Sequence, residues 1–194
     1  MVVEEKLNKT YDMYLEMRKD HLDNIYNLYR DDILSNGVIF CGVGKNWYIA
    51  EELTKLFISF GLNAQALDCT HALHGDCGMI KDQVLFFLSK SGTTKELVTL
   101  MNYLKTVDHF SNNKQILVSL RDVKSDTADY IIKPKTNYIY EFDSNDLIPT
   151  LSLTTILLLL SEFGVRIFES DETLVKLYKH NHPGGEIGER LSCK

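Results

Sequence analysis

The sequence lacks the features that direct a protein out of the cytosol. Its first residues include the charged Glu4 and Glu5, where a secretory leader needs an apolar stretch. The longest uncharged run, residues 147–161, is shorter than the roughly 18–20 residues that cross a membrane. We therefore expect a cytosolic protein without a membrane span, in which this run forms a fully buried helix.

Cysteine is scarce, and no CxxC pair is present among Cys41, Cys69, Cys77 and Cys193. In a cytosolic chain this spacing favours reduced cysteines, most of which act as small apolar residues. Four potential zinc ligands lie within nine residues, at Cys69, His71, His74 and Cys77. Their spacing is not that of a common structural zinc site, so we expect no bound metal.

Positive charge is in the minority. The chain of 194 residues has 21 lysines and arginines against 27 acidic residues, which gives a net charge of −6. A general nucleic-acid binder needs a basic face that displaces counterions from phosphates, so we expect no nucleic-acid partner. The 44% hydrophobic and 25% charged residues are typical of a globular protein, and the length favours one compact domain.

Helical and extended patterns alternate along the chain. Residues 2–34 carry apolar side chains at roughly helical spacing, at Leu7, Tyr11, Tyr14, Met17, Leu22, Ile25, Leu28 and Ile33. Five short apolar runs follow, at 38–41, 63–67, 84–88, 115–120 and 130–132. Continuous apolar strands between helices predict a five-stranded parallel sheet covered on both faces, a doubly wound, flavodoxin-like three-layer α/β/α sandwich.

A segment rich in hydroxyl groups follows the third strand. Ser89-Lys90-Ser91-Gly92-Thr93-Thr94-Lys95-Glu96 comes directly after the apolar run 84–88 and opens the next helix. Unpaired N–H groups at a helix start attract an anion, while serine and threonine add hydroxyl donors and glycine allows a tight turn. We interpret residues 89–94, the hydroxyl loop, as a phosphate site. The alternative is an ordinary helix cap, which serine and threonine also favour.

A glycine turn, Gly42-Val43-Gly44, follows the first strand and precedes Lys45. Ligands of such sheets bind beyond the carboxyl ends of the strands, so we expect this turn and the hydroxyl loop to face one pocket. A dinucleotide site is disfavoured because Trp47 stands where that motif has its third glycine. The Walker pattern fails because Lys45 is not followed by serine or threonine.

Four motifs occur together in one order: Gly42-Val43-Gly44-Lys45, His74-Gly75-Asp76, Ser89-Lys90-Ser91-Gly92-Thr93-Thr94-Lys95-Glu96 and His182-Pro183-Gly184-Gly185. With them the chain, over residues 30–192, resembles the sugar isomerase (SIS) domain of D-arabinose 5-phosphate isomerases. The resemblance implies the SIS form of the fold predicted above and an enzyme without metal or organic cofactor. It also implies a short form, with residues 1–194 as a single domain and without the regulatory CBS repeats that often follow it.

By this resemblance the substrate phosphate binds at Gly44, Ser89, Ser91, Gly92, Thr93 and Thr94. The implied catalytic residues are Lys45, His74, Glu96, Glu141 and His182, of which Glu141 is located by its eight-residue distance to Pro149. An aldose–ketose isomerase moves a proton between neighbouring carbons through an enediol, which requires a base and a group that stabilises the enediolate.

The division of labour among these residues is a hypothesis, because a carboxylate and two histidines can exchange roles without changing the pattern. We assign the carbon proton to Glu141. His74 and His182 serve ring opening and the oxygen protons. Lys45 balances the developing negative charge, and Glu96 orients substrate hydroxyls or Lys45.

The implied reaction interconverts D-ribulose 5-phosphate and D-arabinose 5-phosphate and feeds the synthesis of Kdo, an eight-carbon acidic sugar. Asn46 and Trp47 replace the usual Ser-Gly of the family, and Lys90 adds a positive charge beside the expected anion. An isomerase of another phosphosugar is therefore an alternative, and so is a non-catalytic module that binds a sugar phosphate or a nucleotide sugar.

The resemblance also implies a homotetramer with composite active sites. The long N-terminal helix and the apolar residues 156–160 offer more hydrophobic surface than one thin sandwich buries. In such an assembly His74 or His182 crosses into the pocket of a neighbouring subunit.

Overall fold

The computed structural model describes residues 1–136 and 139–192. The helices within this part are α1 (Val3–Asn36), α2 (Lys45–Ser59), α3 (Cys69–Ala72), α4 (Lys95–Thr106), α5 (Leu151–Glu169), α6 (Glu172–Asn181) and α7 (Gly185–Ser192). The strands are β1 (Val38–Gly42), β2 (Ala64–Asp68), β3 (Val84–Ser89), β4 (Lys114–Ser119) and β5 (Tyr130–Ile132). Two short 3-10 helices cover Asp76–Met79 and Asp108–Phe110.

The five strands form one parallel sheet in the order β2-β1-β3-β4-β5. Cys41 of β1 lies opposite Phe87 of β3, and Ser89 of β3 lies opposite Ser119 of β4. The strand order reverses between β1 and β3, which is the doubly wound arrangement that the sequence predicts. Each strand agrees with its predicted run to within one residue at either end.

Alternate residues along the strands face two separate cores. Phe40 and Phe86 pack with α1, α2 and α5 on one side of the sheet, while Cys41 and Phe87 pack with α3 and α4 on the other. Because both faces are covered, the central strands β1 and β3 have consecutive apolar residues instead of one at every second position. The predicted three-layer sandwich is confirmed.

The long N-terminal helix is also confirmed, over Val3–Asn36 instead of residues 2–34. Its buried side chains include Met17, Ile25 and Ile33, and they lie against the sheet and α5. Three residues of the predicted apolar face are instead exposed: Leu7, Tyr11 and Leu28.

Helix α5 contains most of the apolar run 147–161. By length and composition it is the one helix in the described part that is apolar enough to cross a membrane, and half of its apolar window is buried. It packs against α1, α2 and α6, as a core helix does. The expectation of full burial is wrong, because Leu158 is 44% exposed.

Three of the four cysteines are free and buried, at Cys41, Cys69 and Cys77, while Cys193 lies outside the described residues. Burial raises the pKa of all three thiols, that of Cys69 to about 12, so they stay protonated at neutral pH. Over residues 1–136 and 139–192, no group of three or more His, Cys, Asp or Glu side chains could hold a metal ion.

Candidate functional site

The carboxyl ends of β1 and β3 lie side by side at one edge of the sheet. From there β1 passes through residues 42–44 into α2 on one face, and β3 passes through the hydroxyl loop into α4 on the other face. A crevice opens at such a reversal because the two connections leave in opposite directions. The glycine turn and the hydroxyl loop therefore start from neighbouring strand ends beside this crevice.

The hydroxyl loop is held in place by its own side chains. Ser89 is buried at the end of β3, and its Oγ accepts a hydrogen bond from the Gly92 N–H at 2.9 Å and lies 3.0 Å from Thr94 Oγ1. Gly92 has a φ of +69°, and a Cβ at this position would lie 2.8 Å from Ser119 Oγ. Both the backbone conformation and the lack of space require glycine here.

Helix α4 starts without a side-chain cap. Thr94 precedes the helix, but its hydroxyl makes no capping hydrogen bond, and Ser91 Oγ accepts from the Thr93 N–H at 3.2 Å instead. Within the described part of the chain, the first N–H groups of α4 thus have no side-chain acceptor, and their dipoles favour a bound anion. This geometry supports a phosphate site over an ordinary helix cap.

Lys45 is the first residue of α2 and is exposed at the crevice. Across residues 1–136 and 139–192, its ammonium group has neither a hydrogen bond nor an ion pair. A cation at a helix start is unfavourable next to the positive end of the helix dipole. An anionic ligand in the crevice would relieve this repulsion.

Asn46 and Trp47 follow Lys45 in the first turn of α2. Asn46 Oδ1 is buried without a hydrogen-bond partner among the described residues, which favours a donor from a ligand or from water. Trp47 lines a cavity of about 570 Å³ together with Asp68 and His71 at the end of β2. The indole therefore lies close to the end of β2.

Glu96 and His74 are exposed at the same edge of the sheet. Glu96 lies in the first turn of α4, and His74 lies just beyond α3, before the 3-10 helix Asp76–Met79. Helix α3 packs against α4, so the two side chains belong to adjoining elements. Neither side chain has a hydrogen bond or an ion pair to another described residue, which leaves both available to a ligand.

Glu141 is buried at the start of α5. Its Oε2 accepts hydrogen bonds from the Thr150 N–H at 2.7 Å, the Thr150 hydroxyl at 3.0 Å and the Ser152 N–H at 3.2 Å. Its Oε1 accepts from Lys90 Nζ at 2.6 Å. Burial by itself raises the pKa of Glu141, but the hydrogen bonds from Lys90, Thr150 and Ser152 outweigh it and hold the pKa below its ordinary value.

This geometry does not favour the predicted role of Glu141 as the base that removes the carbon proton. A base needs an oxygen that can reach the substrate, whereas both oxygens of Glu141 are occupied and its side chain is fully buried. A lowered pKa also weakens a carboxylate as a base. Glu141 acts here as a cap for α5 and as the partner of Lys90.

The Lys90 side chain leaves the hydroxyl loop to reach that carboxylate. Its Nζ also donates to the Asp146 carbonyl at 3.1 Å. The positive charge that was expected beside the phosphate is therefore balanced by Glu141. Lys90 instead ties the hydroxyl loop to the segment that precedes α5.

His182 lies away from the crevice. Its Nδ1 is 2.8 Å from the Tyr178 carbonyl oxygen, and its ring packs on Tyr178 with centroids 4.1 Å apart. Tyr178 contacts Phe60, just past the end of α2. The 15 residues of α2 span about 22 Å at 1.5 Å per residue, so Lys45 and His182 lie at opposite edges of the sheet. One chain alone does not bring them together.

Solved structures share this architecture. A Bacteroides fragilis protein, described as a phosphosugar isomerase involved in capsule formation, matches 94% of this chain and 96% of its own with a TM-score of 0.76 at 22% identity. The chain has the fold of an SIS domain. An E. coli CFT073 protein, solved in complex with arabinose 5-phosphate, matches 87% of this chain and 88% of its own, with a TM-score of 0.71 and 28% identity.

Sequence relatives of this chain include the arabinose 5-phosphate isomerase KdsD of Francisella tularensis. It is 30% identical over 191 residues, which cover 93% of this chain and 56% of that protein. No family model matches the sequence. The chain spans about half the length of the curated relatives it matches.

The structure places three further residues at or next to the site that the sequence analysis does not name. Ser119 ends β4 opposite Ser89 and contacts the turn at Gly92. The sequence feature that could have identified Ser119 is a hydroxyl residue at the end of an apolar strand, which is the feature that identified Ser89. Lys6 and Asp146 form an ion pair across 140 residues of sequence, and no local pattern connects them.

Proposed function

We propose that this protein is a sugar-phosphate isomerase. The proposal is carried by the crevice between β1 and β3, where the uncapped start of α4 and the hydroxyl loop lie beside Lys45. Such a site favours the dianionic phosphate end of a small carbohydrate, while Lys45 and Glu96 remain available for chemistry at its other end. The arabinose 5-phosphate isomerase relative and the protein solved with arabinose 5-phosphate support this function.

We infer that the substrate pair is D-ribulose 5-phosphate and D-arabinose 5-phosphate, within Kdo biosynthesis. The names of the relatives support this pair. Asn46 and Trp47 favour a second candidate, another phosphosugar, because a buried unpaired Oδ1 selects for a substrate donor at that point.

The proposed mechanism uses a different general base from the one that the sequence analysis assigns. We assign removal of the carbon proton to Glu96, since it is exposed in the first turn of α4 whereas Glu141 is fully engaged. Lys45 stabilises the negative charge of the enediolate, and His74 transfers protons between the oxygens. Proton transfer between neighbouring carbons involves no net oxidation, so no cofactor enters the proposal.

The test is to incubate the protein with D-ribulose 5-phosphate and with a panel of hexulose 6-phosphates and to measure aldose formation. We expect turnover of at least one compound, and a loss of about 10²- to 10⁴-fold in Glu96→Gln, as for removal of a general base. Glu52→Gln, at an exposed position in the middle of α2, is the matched control and should retain activity.

The outcomes separate the candidate functions. Turnover of a hexulose 6-phosphate alone would replace the pentose substrate with another phosphosugar. Binding of phosphosugars without any turnover would favour the non-catalytic module. Absence of binding would refute the phosphate site itself.

A further inference from the structure

A lysine of the N-terminal helix is buried, although the sequence analysis assigns it no role. Lys6 is 4% exposed, although its neighbours in the first turns of α1 face solvent. Its Nζ donates to the Glu141 carbonyl at 2.7 Å, to the Asp143 carbonyl at 2.5 Å and to Asp146 Oδ1 at 2.7 Å. All three acceptors belong to the segment that precedes α5.

The three acceptors match the donors of an ammonium group, which has three N–H bonds and no acceptor. A buried cation is tolerated when it is paired and fully hydrogen-bonded, and Lys6 meets this condition only while residues 141–146 stay against α1. Movement of this segment would leave the charge without partners. Lys6 therefore fixes the position of the segment.

The backbone at Asp146 gives independent evidence of restraint. Asp146 is the one non-glycine residue with positive φ in the described part of the chain, at 55°. Such a conformation persists when surrounding contacts impose it. The contacts here come from Lys6 and from the Glu141 N–H, which donates to the same Asp146 Oδ1 at 2.8 Å.

The restraint continues into the proposed phosphate site. Asp146 orders Glu141 through this N–H, Glu141 accepts from Lys90 Nζ at 2.6 Å, and Lys90 lies within the hydroxyl loop. We propose that Lys6 is a positioning residue for phosphate binding, which holds the hydroxyl loop in its binding geometry through Asp146, Glu141 and Lys90. This inference rests on the proposed function, and it adds a contribution of the N-terminal helix to that site.

The test compares Lys6→Met with Lys19→Met, an exposed lysine of the same helix that makes no ion pair with another described residue. Hydrogen exchange at the amides of residues 89–94 reports the order of the loop without any ligand. Calorimetry reports the affinity for D-arabinose 5-phosphate and for inorganic phosphate. In Lys6→Met we expect exchange about tenfold faster and affinity about tenfold weaker, as for the loss of one charged hydrogen-bond network. Lys19→Met should match the wild type.

If Lys6 had a purely structural role, Lys6→Met would have a lower melting temperature. Hydrogen exchange at residues 89–94 and KM would be unchanged in the folded protein. A positioning role raises KM more than it lowers kcat, because the effect acts through phosphate binding. Unchanged exchange and unchanged affinity in a folded Lys6→Met protein would overturn the inference.

A second variant covers the case in which Lys6→Met does not fold. Asp146→Asn removes the charge that pairs with Lys6, and asparagine tolerates the positive φ. We expect it to speed exchange at residues 89–94 in the same way, and wild-type exchange in this variant would overturn the inference. Failure of the wild type to bind either phosphate probe would instead refute the proposed function. The two failures are distinguishable, because hydrogen exchange tests the effect of Lys6 on the loop without any ligand.

Discussion

Four hydrogen-bond donor groups converge on the carboxylate of Glu141: the Lys90 ammonium, the Thr150 N–H, the Thr150 hydroxyl and the Ser152 N–H. The Thr150 and Ser152 N–H groups belong to the start of α5, so the carboxylate replaces a conventional cap. Since the pKa of Glu141 in the folded protein lies below its ordinary value of 4.5, the folded state binds fewer protons at this group than the unfolded state does. Glu141 therefore stabilises the fold above about pH 4.5, and this contribution is lost as the pH falls through the lowered pKa.

Glu141→Gln should consequently destabilise the protein at pH 7 by about 1–3 kcal/mol, because it weakens the hydrogen bonds to this acceptor and leaves the Lys90 charge without its carboxylate partner. The difference from the wild type should shrink as the pH falls below the ordinary carboxyl pKa. Urea unfolding of both proteins at pH 7 and at a series of acidic pH values measures this. Glu52→Gln should follow the wild-type curve at every pH, and a difference for Glu141→Gln that is independent of pH would contradict the electrostatic explanation.

The residues of the site were predictable to the extent that their signal is local. Ser89 and Gly92 follow a buried strand directly, so the periodicity that predicts β3 also places them at its end. The location of Glu141 near the site could be inferred, but its role could not, because the Thr150 and Ser152 N–H groups that engage it lie 9 and 11 residues further along the chain. Lys6 shows no sequence signal at all, since a lysine in the first turns of a helix is usually solvated.

At the scale of elements, α1 was predictable because its helical spacing repeats over many residues, and the strands because short apolar runs alternate with helical segments. β1 and β3 are buried on both faces, so their sequences are apolar over nearly their whole length. Burial along α5 was overestimated, because leucine content does not reveal which side of the helix faces a neighbour. The packing of α5 against α1 and α2 leaves Leu158 in solvent.

The contact between α5 and α2 leads to a prediction about Gly164. A Cβ at Gly164 would lie 2.4 Å from Cε2 of Phe57. In an exposed helix Gly→Ala stabilises by about 1 kcal/mol. Here the overpacking should exceed that gain, and Gly164→Ala should lower the free energy of unfolding by about 1–3 kcal/mol. Urea denaturation measures the change.

A double mutant checks the cause. Phe57→Leu shortens the side chain that meets the new methyl group, so the combined variant should be more stable than the sum of the two single changes predicts. Additive effects, or stabilisation by Gly164→Ala alone, would show that the helices can separate to accept the methyl group.

For the whole molecule, we propose a homotetramer with sites shared between subunits. Apolar side chains stand exposed in the segment before α5, at Phe142, Leu147 and Ile148, and monomeric proteins rarely expose such patches together. His182 lies at the opposite edge of the sheet from Lys45, so it can join a crevice only if it belongs to another chain. Light scattering should then give four times the 22.3 kDa mass of one chain.

Co-expression of two inactive variants tests the shared site. Glu96→Gln and His182→Ala homomers should each lose activity. Tetramers formed from equal amounts of both variants should have about a quarter of the wild-type activity, because in about a quarter of the sites an intact Glu96 meets an intact His182 from a second chain. Full activity of His182→Ala alone, or a mixture as inactive as its parents, would contradict this arrangement.

The crevice also lies between the two cores of the molecule. Lys45 opens α2, which belongs to the core on one side, and the hydroxyl loop opens α4, which belongs to the core on the other. A metabolite bridging both would link the outer layers directly across the edge of the sandwich. Binding of the ligand would then stabilise the layers on both sides of the sheet against unfolding at the same time.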